Sequence, residues 1–198
     1  MIGASLIERV EDALYVTHIV AGGTNGLRRT SMMMIGLCRT TNIIHVDWLW
    51  QCFKKRKLLP CSRFLLLSDR VSEKRYSFSI KQTIRNGQER KKEGGLFFGW
   101  KVYFSEGVAG HKAPAEKDLN LIVKAGGGDI LTKLDLVSEI GDRAHVIVIT
   151  SDPPLQSQID DAEATKLADN GAGRFTTTWL FDCILHQRLS GIKRGLGR

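Results

Sequence analysis

One order of apolar positions occurs twice along this chain. Trp48-Leu49-Trp50-Gln51-Cys52 and Trp179-Leu180-Phe181-Asp182-Cys183 both read W-L-x-x-C, 131 residues apart. In the first copy Trp48, Leu49, Cys52 and Phe53 recur at helical spacing, and in the second Trp179, Leu180, Cys183 and Ile184 do the same. Each stretch predicts a helix whose apolar stripe lies on a sheet or on another helix. Asp47 and Thr178 stand where an N-cap is expected, with a side-chain oxygen for the first free helical N–H groups. Short β-branched or Ile-rich runs, Asn42–Val46 and Arg174–Thr177, lead into both helices.

The echo continues upstream. Thr17–Ala21 and His145–Thr150 are continuous apolar runs of the kind a buried parallel strand carries. Each is preceded by a Gly-containing turn and a weak strand, Gly3–Glu8 and Gly126–Leu134, and followed by a helical stretch, Leu27–Arg39 and Ile159–Asp169. The second copy also has an opening strand, Leu96–Ser105, and a helix, Ala115–Ala125, with Pro114 at its start and Leu119, Ile122 and Val123 as its stripe. Strands alternating with helices imply a parallel sheet with helices on its faces. The expected class is α/β: two units duplicated over a long period, the first lacking its opening strand and helix. Residues 1–67 form the first unit and 96–198 the second. Residues 68–95 join them, with a polar stretch at Ser68–Ser77 and a helix over Ser79–Lys92. That patterning predicts that the two units pack together.

Composition narrows the classes. Of 198 residues, 42% are hydrophobic and only 4 are proline, which excludes wholesale disorder and collagen-like or mucin-like chains. The longest apolar runs, such as Phe64–Leu67 and Val146–Ile149, are too short to cross a bilayer, and no secretory signal is expected. Cys38, Cys52, Cys61 and Cys183 form no C-x-x-C pair, so they are expected as buried reduced thiols rather than metal ligands. The net charge of +8 is uneven. Residues 1–93 hold 17 Lys and Arg against 8 Asp and Glu, whereas 94–198 hold 12 against 13. Such a field in the first half attracts acidic, phosphorylated or nucleic-acid partners, although a solvated basic face reads the same way. Lys54-Lys55-Arg56-Lys57 complements a helix C-terminus, and it can also serve as a nuclear-import signal or a nucleic-acid contact. Gly22-Gly23-Thr24-Asn25-Gly26 follows a strand, but it does not have the spacing of a dinucleotide-binding turn. No nucleophile, P-loop or clustered histidine motif occurs, so neither enzyme activity nor a cofactor is expected.

The Thr-His-Ile-Val strand and Trp-Leu helix of the first copy, Phe-Thr-Thr-Thr-Trp-Leu of the second, and the glycines before the second strand together resemble a tandem BRCT module. Residues 73–79 and the helix after them resemble an inter-repeat linker of that family. The resemblance covers nearly the whole chain. It implies recognition of a phosphoserine peptide in the nucleus, within the DNA-damage response. In such tandems a Ser/Thr-Gly turn and a helix lysine hold the phosphate, and an arginine in the cleft holds the peptide backbone or its terminal carboxylate. By that resemblance Arg29 is the cleft arginine, Thr30 its neighbour, and Met34 and Pro114 line the cleft. The lysine position falls on Met32, which has no proton to donate, and the Ser/Thr-Gly turn belongs to the missing strand and helix. The expected partner is therefore a phosphorylated protein tail, with a histone tail as one instance. The other reading is a degenerate tandem that binds protein, or nucleic acid through its basic first half, without using phosphate.

Overall fold

The computed structural model describes residues 4–24, 26–110, 112–132 and 145–192. In the first unit β1 (Ile19–Ala21) leads through a loop to α1 (Ser31–Arg39), then β2 (Ile43–His45) and α2 (Asp47–Lys55). β1 and β2 pair in parallel, Ile19 with Ile43 and Ala21 with His45. The linker carries two helices, α3 (Arg70–Tyr76) and α4 (Ile80–Lys92). The second unit follows as β3 (Lys101–Phe104), α5 (Glu116–Ala125), β4 (Asp129–Ile130) and β5 (Val146–Thr150). The short α6 (Gln156–Ile159), then α7 (Ala162–Asp169), β6 (Gly173–Thr176) and α8 (Thr177–His186) complete it. Its sheet has the order β4-β3-β5-β6, all parallel. The α/β class with parallel sheets flanked by helices is as expected.

Several local expectations are corrected. Residues 4–8 form no strand, and a 3-10 turn at Glu11–Tyr15 stands before β1 instead; Gly3 lies outside the described residues. Within the described part of Gly126–Leu134 only Asp129–Ile130 is strand; residues 133 and 134 lie outside the described residues. α1 begins four residues later than its periodicity suggested. Thr30 is extended there, and its hydroxyl accepts the Met33 N–H at 3.2 Å. The cap of α8 is Thr176, not Thr178, and α2 has no side-chain cap at all; Asp47 is its first residue. The polar Ser68–Ser77 stretch contains α3, capped by Asp69.

The W-L-x-x-C echo has one physical reason in both units. Trp and Cys stand four residues apart on one helix face. Trp48 donates its indole N–H to the Leu59 carbonyl at 2.9 Å, and Cys52 Sγ accepts the Leu59 N–H at 3.3 Å. Trp179 likewise donates to the Ser190 carbonyl at 2.9 Å, while Cys183 Sγ lies 3.9 Å from the Ser190 hydroxyl. In each unit the pair ties the chain that leaves the helix back onto it. All four cysteines are free thiols, and burial pushes Cys38 up to about 12 and Cys183 up to about 11.

The cores explain the apolar runs. β5 is buried on both faces, with Ile147 and Ile149 in one cluster and Val146 and Val148 in another under α7. The larger cluster runs through both units, from Met34 and Ile35 of α1 to Leu119 and Ile122 of α5 and Leu180 and Ile184 of α8. α1 lies along α5 and against α8, and α4 also lies on α8. The linker meets the second unit through glycine. Gly95 has φ +126°, and a Cβ there would stand 2.3 Å from the Gly126 carbonyl oxygen. That oxygen instead accepts the Phe97 N–H at 2.7 Å.

Candidate functional site

The site is built where the loop before α1, the linker and α8 converge. Residues 26–30 are not helical, and a hydrogen bond from outside the segment fixes their course. Asp69, buried at the head of α3, accepts the Leu27 N–H at 2.9 Å while it also takes Val71 N–H at 3.2 Å and Ser72 N–H at 3.4 Å. Burial alone would raise the Asp69 pKa. The hydrogen bonds from Ser72, Leu27 and Val71 outweigh it and hold the carboxyl below the usual aspartate value. Gly26 packs against that carboxylate: with φ +63°, a Cβ would stand 2.9 Å from Asp69 Oδ2. Asp69 thereby positions the backbone two residues ahead of Arg29.

Arg29 projects into the junction between the units. Its guanidinium lies over the Tyr76 ring of α3, 4.6 Å from the centroid, with the Phe181 ring at 6.0 Å. Its Nη1 donates to Asp182 Oδ1 of α8 at 3.3 Å. One side chain of the first unit thus touches both the linker and the second unit. Burial pushes the Asp182 carboxyl above its ordinary value, as does Asp152, while Arg29 and His186 work against that rise. Desolvation wins, so this carboxylate is a poorly stabilised anion. His186 spans the same corner, its ring nitrogens 2.8 Å from the Asp182 carbonyl oxygen and 3.2 Å from that of Ser77.

The other expected residues fall differently. Thr30 is exposed beside Arg29, with its hydroxyl engaged as the α1 cap. Pro114 is half-buried just ahead of α5. Met34 does not line a cleft: it is 1% exposed, inside the shared core, and leaves a ligand no surface. The resemblance put it in the cleft, but α1 packs along α5 and buries it. Met32 is half-buried in the first turn of α1, where the lysine was expected. Among the described residues no group of His, Cys, Asp or Glu is arranged to hold a metal ion. Tyr76, Asp182 and Asp69 were missed. The available signal for Asp182 was a mismatch in the echo, an acid on the second helix where the first has Gln51.

The model of the BRCT domain matches residues 95–194. That is half of the chain, and the chain belongs to the BRCT domain family. The fold is that of a tandem BRCT pair. The BRCT5–BRCT6 domains of S. pombe Brc1 superpose with a TM-score of 0.69 at 18% identity, covering 95% of this chain and 91% of that one. Rtt107p in its complex with a phosphorylated histone gives a TM-score of 0.55 at 12% identity, covering 96% and 77%. In sequence, Mediator of DNA damage checkpoint protein 1 of Rattus norvegicus is 26% identical over 149 residues, 75% of this chain and 10% of the relative. PAX-interacting protein 1 of Bos taurus is 27% identical over 126 residues, 64% and 12%. The chain therefore spans about a tenth of the length of these curated relatives. BRCT domains are in general interaction modules.

Proposed function

We propose that this chain is a non-enzymatic interaction module of the nuclear DNA-damage response. It binds a phosphorylated protein tail at the junction of its two BRCT repeats, with Arg29 as the anchor. The observation that carries this reading is the setting of Arg29. It is an oriented guanidinium between both repeats, stacked on Tyr76, and among the described residues its acidic partner is the poorly stabilised Asp182. A phosphate or terminal carboxylate brings a full charge and more oxygens to the same planar donor. The complex of Rtt107p with a phosphorylated histone supports a phosphoprotein as the kind of partner.

A second reading rests on Met32. With a thioether at the lysine position, one donor to a phosphate is missing from the first turn of α1. On this reading the tandem holds a peptide without using its phosphate. One titration separates the two. A phosphoserine peptide and its unphosphorylated twin are measured, at fixed salt, against the wild type, Arg29→Ala, Arg29→Lys and Met32→Lys. A charge-assisted hydrogen bond contributes about 1.5–3 kcal/mol, so Arg29→Ala weakens phosphopeptide binding roughly tenfold to a hundredfold. Lysine at position 29 recovers only part of this, because the bidentate geometry is gone. Met32→Lys raises the preference for the phosphorylated twin. Wild-type binding by Arg29→Ala, together with no phosphate preference in Met32→Lys, removes the phosphopeptide reading.

A further inference from the structure

We infer that a cavity past the end of α8 is a second binding site, and that it takes the C-terminal residue of a partner peptide. The carboxylate rests on two arginines and the last, apolar side chain on a tryptophan floor. The cavity measures about 310 Å³, and among the described residues it is lined by Arg90, Trp100, Arg188, Leu189 and Ile192. All five belong to the linker or to the second unit, none to the first. Arg29 meets Asp182 within α8, whereas this cavity is built from the chain that leaves that helix. Its volume is at the small end for ligand cavities, enough for one residue rather than an extended segment.

The fold holds these side chains in place. The Thr83 hydroxyl and the Asn86 amide of α4 donate to the carbonyls of Leu185 and His186, in the last turn of α8. Arg90 stands one turn further along α4, beside the chain that leaves α8. That chain is itself tied down. The Arg188 N–H donates to the Cys183 carbonyl at 3.0 Å, and the Ser190 carbonyl accepts the Trp179 indole N–H at 2.9 Å. Trp100 stands just ahead of β3, where its N–H donates to the Phe97 carbonyl at 2.9 Å and its carbonyl accepts the Asp129 N–H at 3.0 Å. The His145 ring meets the Trp100 ring edge-on, with centroids 5.4 Å apart. Trp100, Leu189 and Ile192 pack half-buried against the shared core and make the apolar part of the lining.

The unsatisfied groups select the ligand. Glu93 pairs with Arg90, but among the described residues Arg188 has no acidic partner, so the two arginines keep one positive charge in excess. The Trp100 indole N–H has no acceptor there either, in contrast to those of Trp48 and Trp179. Guanidinium and indole side chains donate and do not accept. A ligand that matches this lining therefore brings only acceptors at its polar end and is apolar elsewhere. A nucleobase carries N–H donors that these side chains cannot accept. A free phosphate would use the guanidiniums and leave Trp100, Leu189 and Ile192 uncovered. An aspartate or glutamate side chain supplies the oxygens without an apolar group for the floor. A chain-terminal carboxylate does both: its oxygens take the planar donors, and the last side chain covers the floor.

The test uses the whole chain, unphosphorylated peptides and titration calorimetry. The probe is a short peptide that ends in Leu with a free carboxylate. Controls are its C-terminal amide, a version ending in Gly and a thymidine oligonucleotide. The expected result is saturable binding of the free acid. Amidation and Arg188→Ala each weaken it about tenfold to a hundredfold, the loss of a charge-assisted hydrogen bond. Arg188→Lys recovers only part, because the planar fork is gone. The Gly version binds about tenfold more weakly or worse, since its apolar contact is lost. Arg188 is exposed, so Arg188→Ala melts as the wild type does. If it melts lower, Arg188→Gln and the amide, which leaves the protein unaltered, decide the matter. Arg29→Ala leaves this binding unchanged, so failure here is distinct from failure of the phosphopeptide reading. No binding of the free acid, equal binding of the amide or of the Gly version, displacement by the oligonucleotide, or a loss in Arg29→Ala with none in Arg188→Ala overturns the proposal.

Discussion

Asp182→Asn tests whether Arg29 is a ligand anchor or a structural clasp. In the wild type the pair is separated by 3.3 Å, with side chains 30% and 43% exposed. A half-exposed single contact of this kind contributes about 0.2–1 kcal/mol to folding. Its carboxylate is also held above its ordinary pKa by burial, so the attraction does not repay the desolvation. Asparagine keeps the shape and removes the charge. Chemical denaturation should therefore show a stability change of no more than about 1 kcal/mol. Binding should respond more clearly. A tail that no longer competes with Asp182 for the guanidinium gains about 1 kcal/mol, roughly fivefold in affinity. Fluorescence polarisation with a phosphoserine peptide at two salt concentrations measures this, and the gain should shrink at the higher salt. The pH dependence carries its own sign. A carboxyl whose folded pKa is raised holds its proton more tightly in the folded state. Its contribution is complete below the unfolded value and is lost as pH rises through the folded one, and Asp182→Asn abolishes that decline. If Asp182→Asn weakens peptide binding as Arg29→Ala does, the carboxylate orients Arg29 rather than competing for it, and the argument fails.

Two further outcomes follow from the geometry. Asp69→Asn turns one of the two accepting oxygens toward Leu27 and Ser72 into a donor, and should cost about 1–3 kcal/mol in a denaturant melt. The Asp69 pKa is depressed in the folded state, so its wild-type contribution is present above the unfolded value and disappears as pH falls through the folded one; a variant with the same acid limb as wild type refutes this. Hydrogen exchange should be faster in β1 and β2 than in β3, β5 and β6. Among the described residues β1 pairs only with β2, whereas β5 lies buried between β3 and β6; equal protection in the two sheets would contradict it.

Much of the architecture was legible because it is local. The apolar run Val146–Ile149 implies a strand buried on both faces whatever its neighbours, and its residues alternate between two cores. The W-L-x-x-C pairs sit one helical turn apart, so each unit makes the same tie to the residue eleven positions beyond its tryptophan. The helix in Ser68–Ser77 escaped notice because its seven residues carry too little apolar periodicity; it rests on the Asp69 cap and on packing.

The site depended on the tertiary structure. The resemblance singled out Arg29, but its contacts come from 47 and 153 residues away, Tyr76 and Asp182. The two tryptophan helices make the same point. Their periodicity declares the same apolar face in both, yet Ile184 is buried and Phe53 is 73% exposed. A period of 3.6 residues determines which side chains share a face. Whether that face becomes core is decided by the elements packed against it, and here α1 of the first unit and α4 of the linker lie over α8.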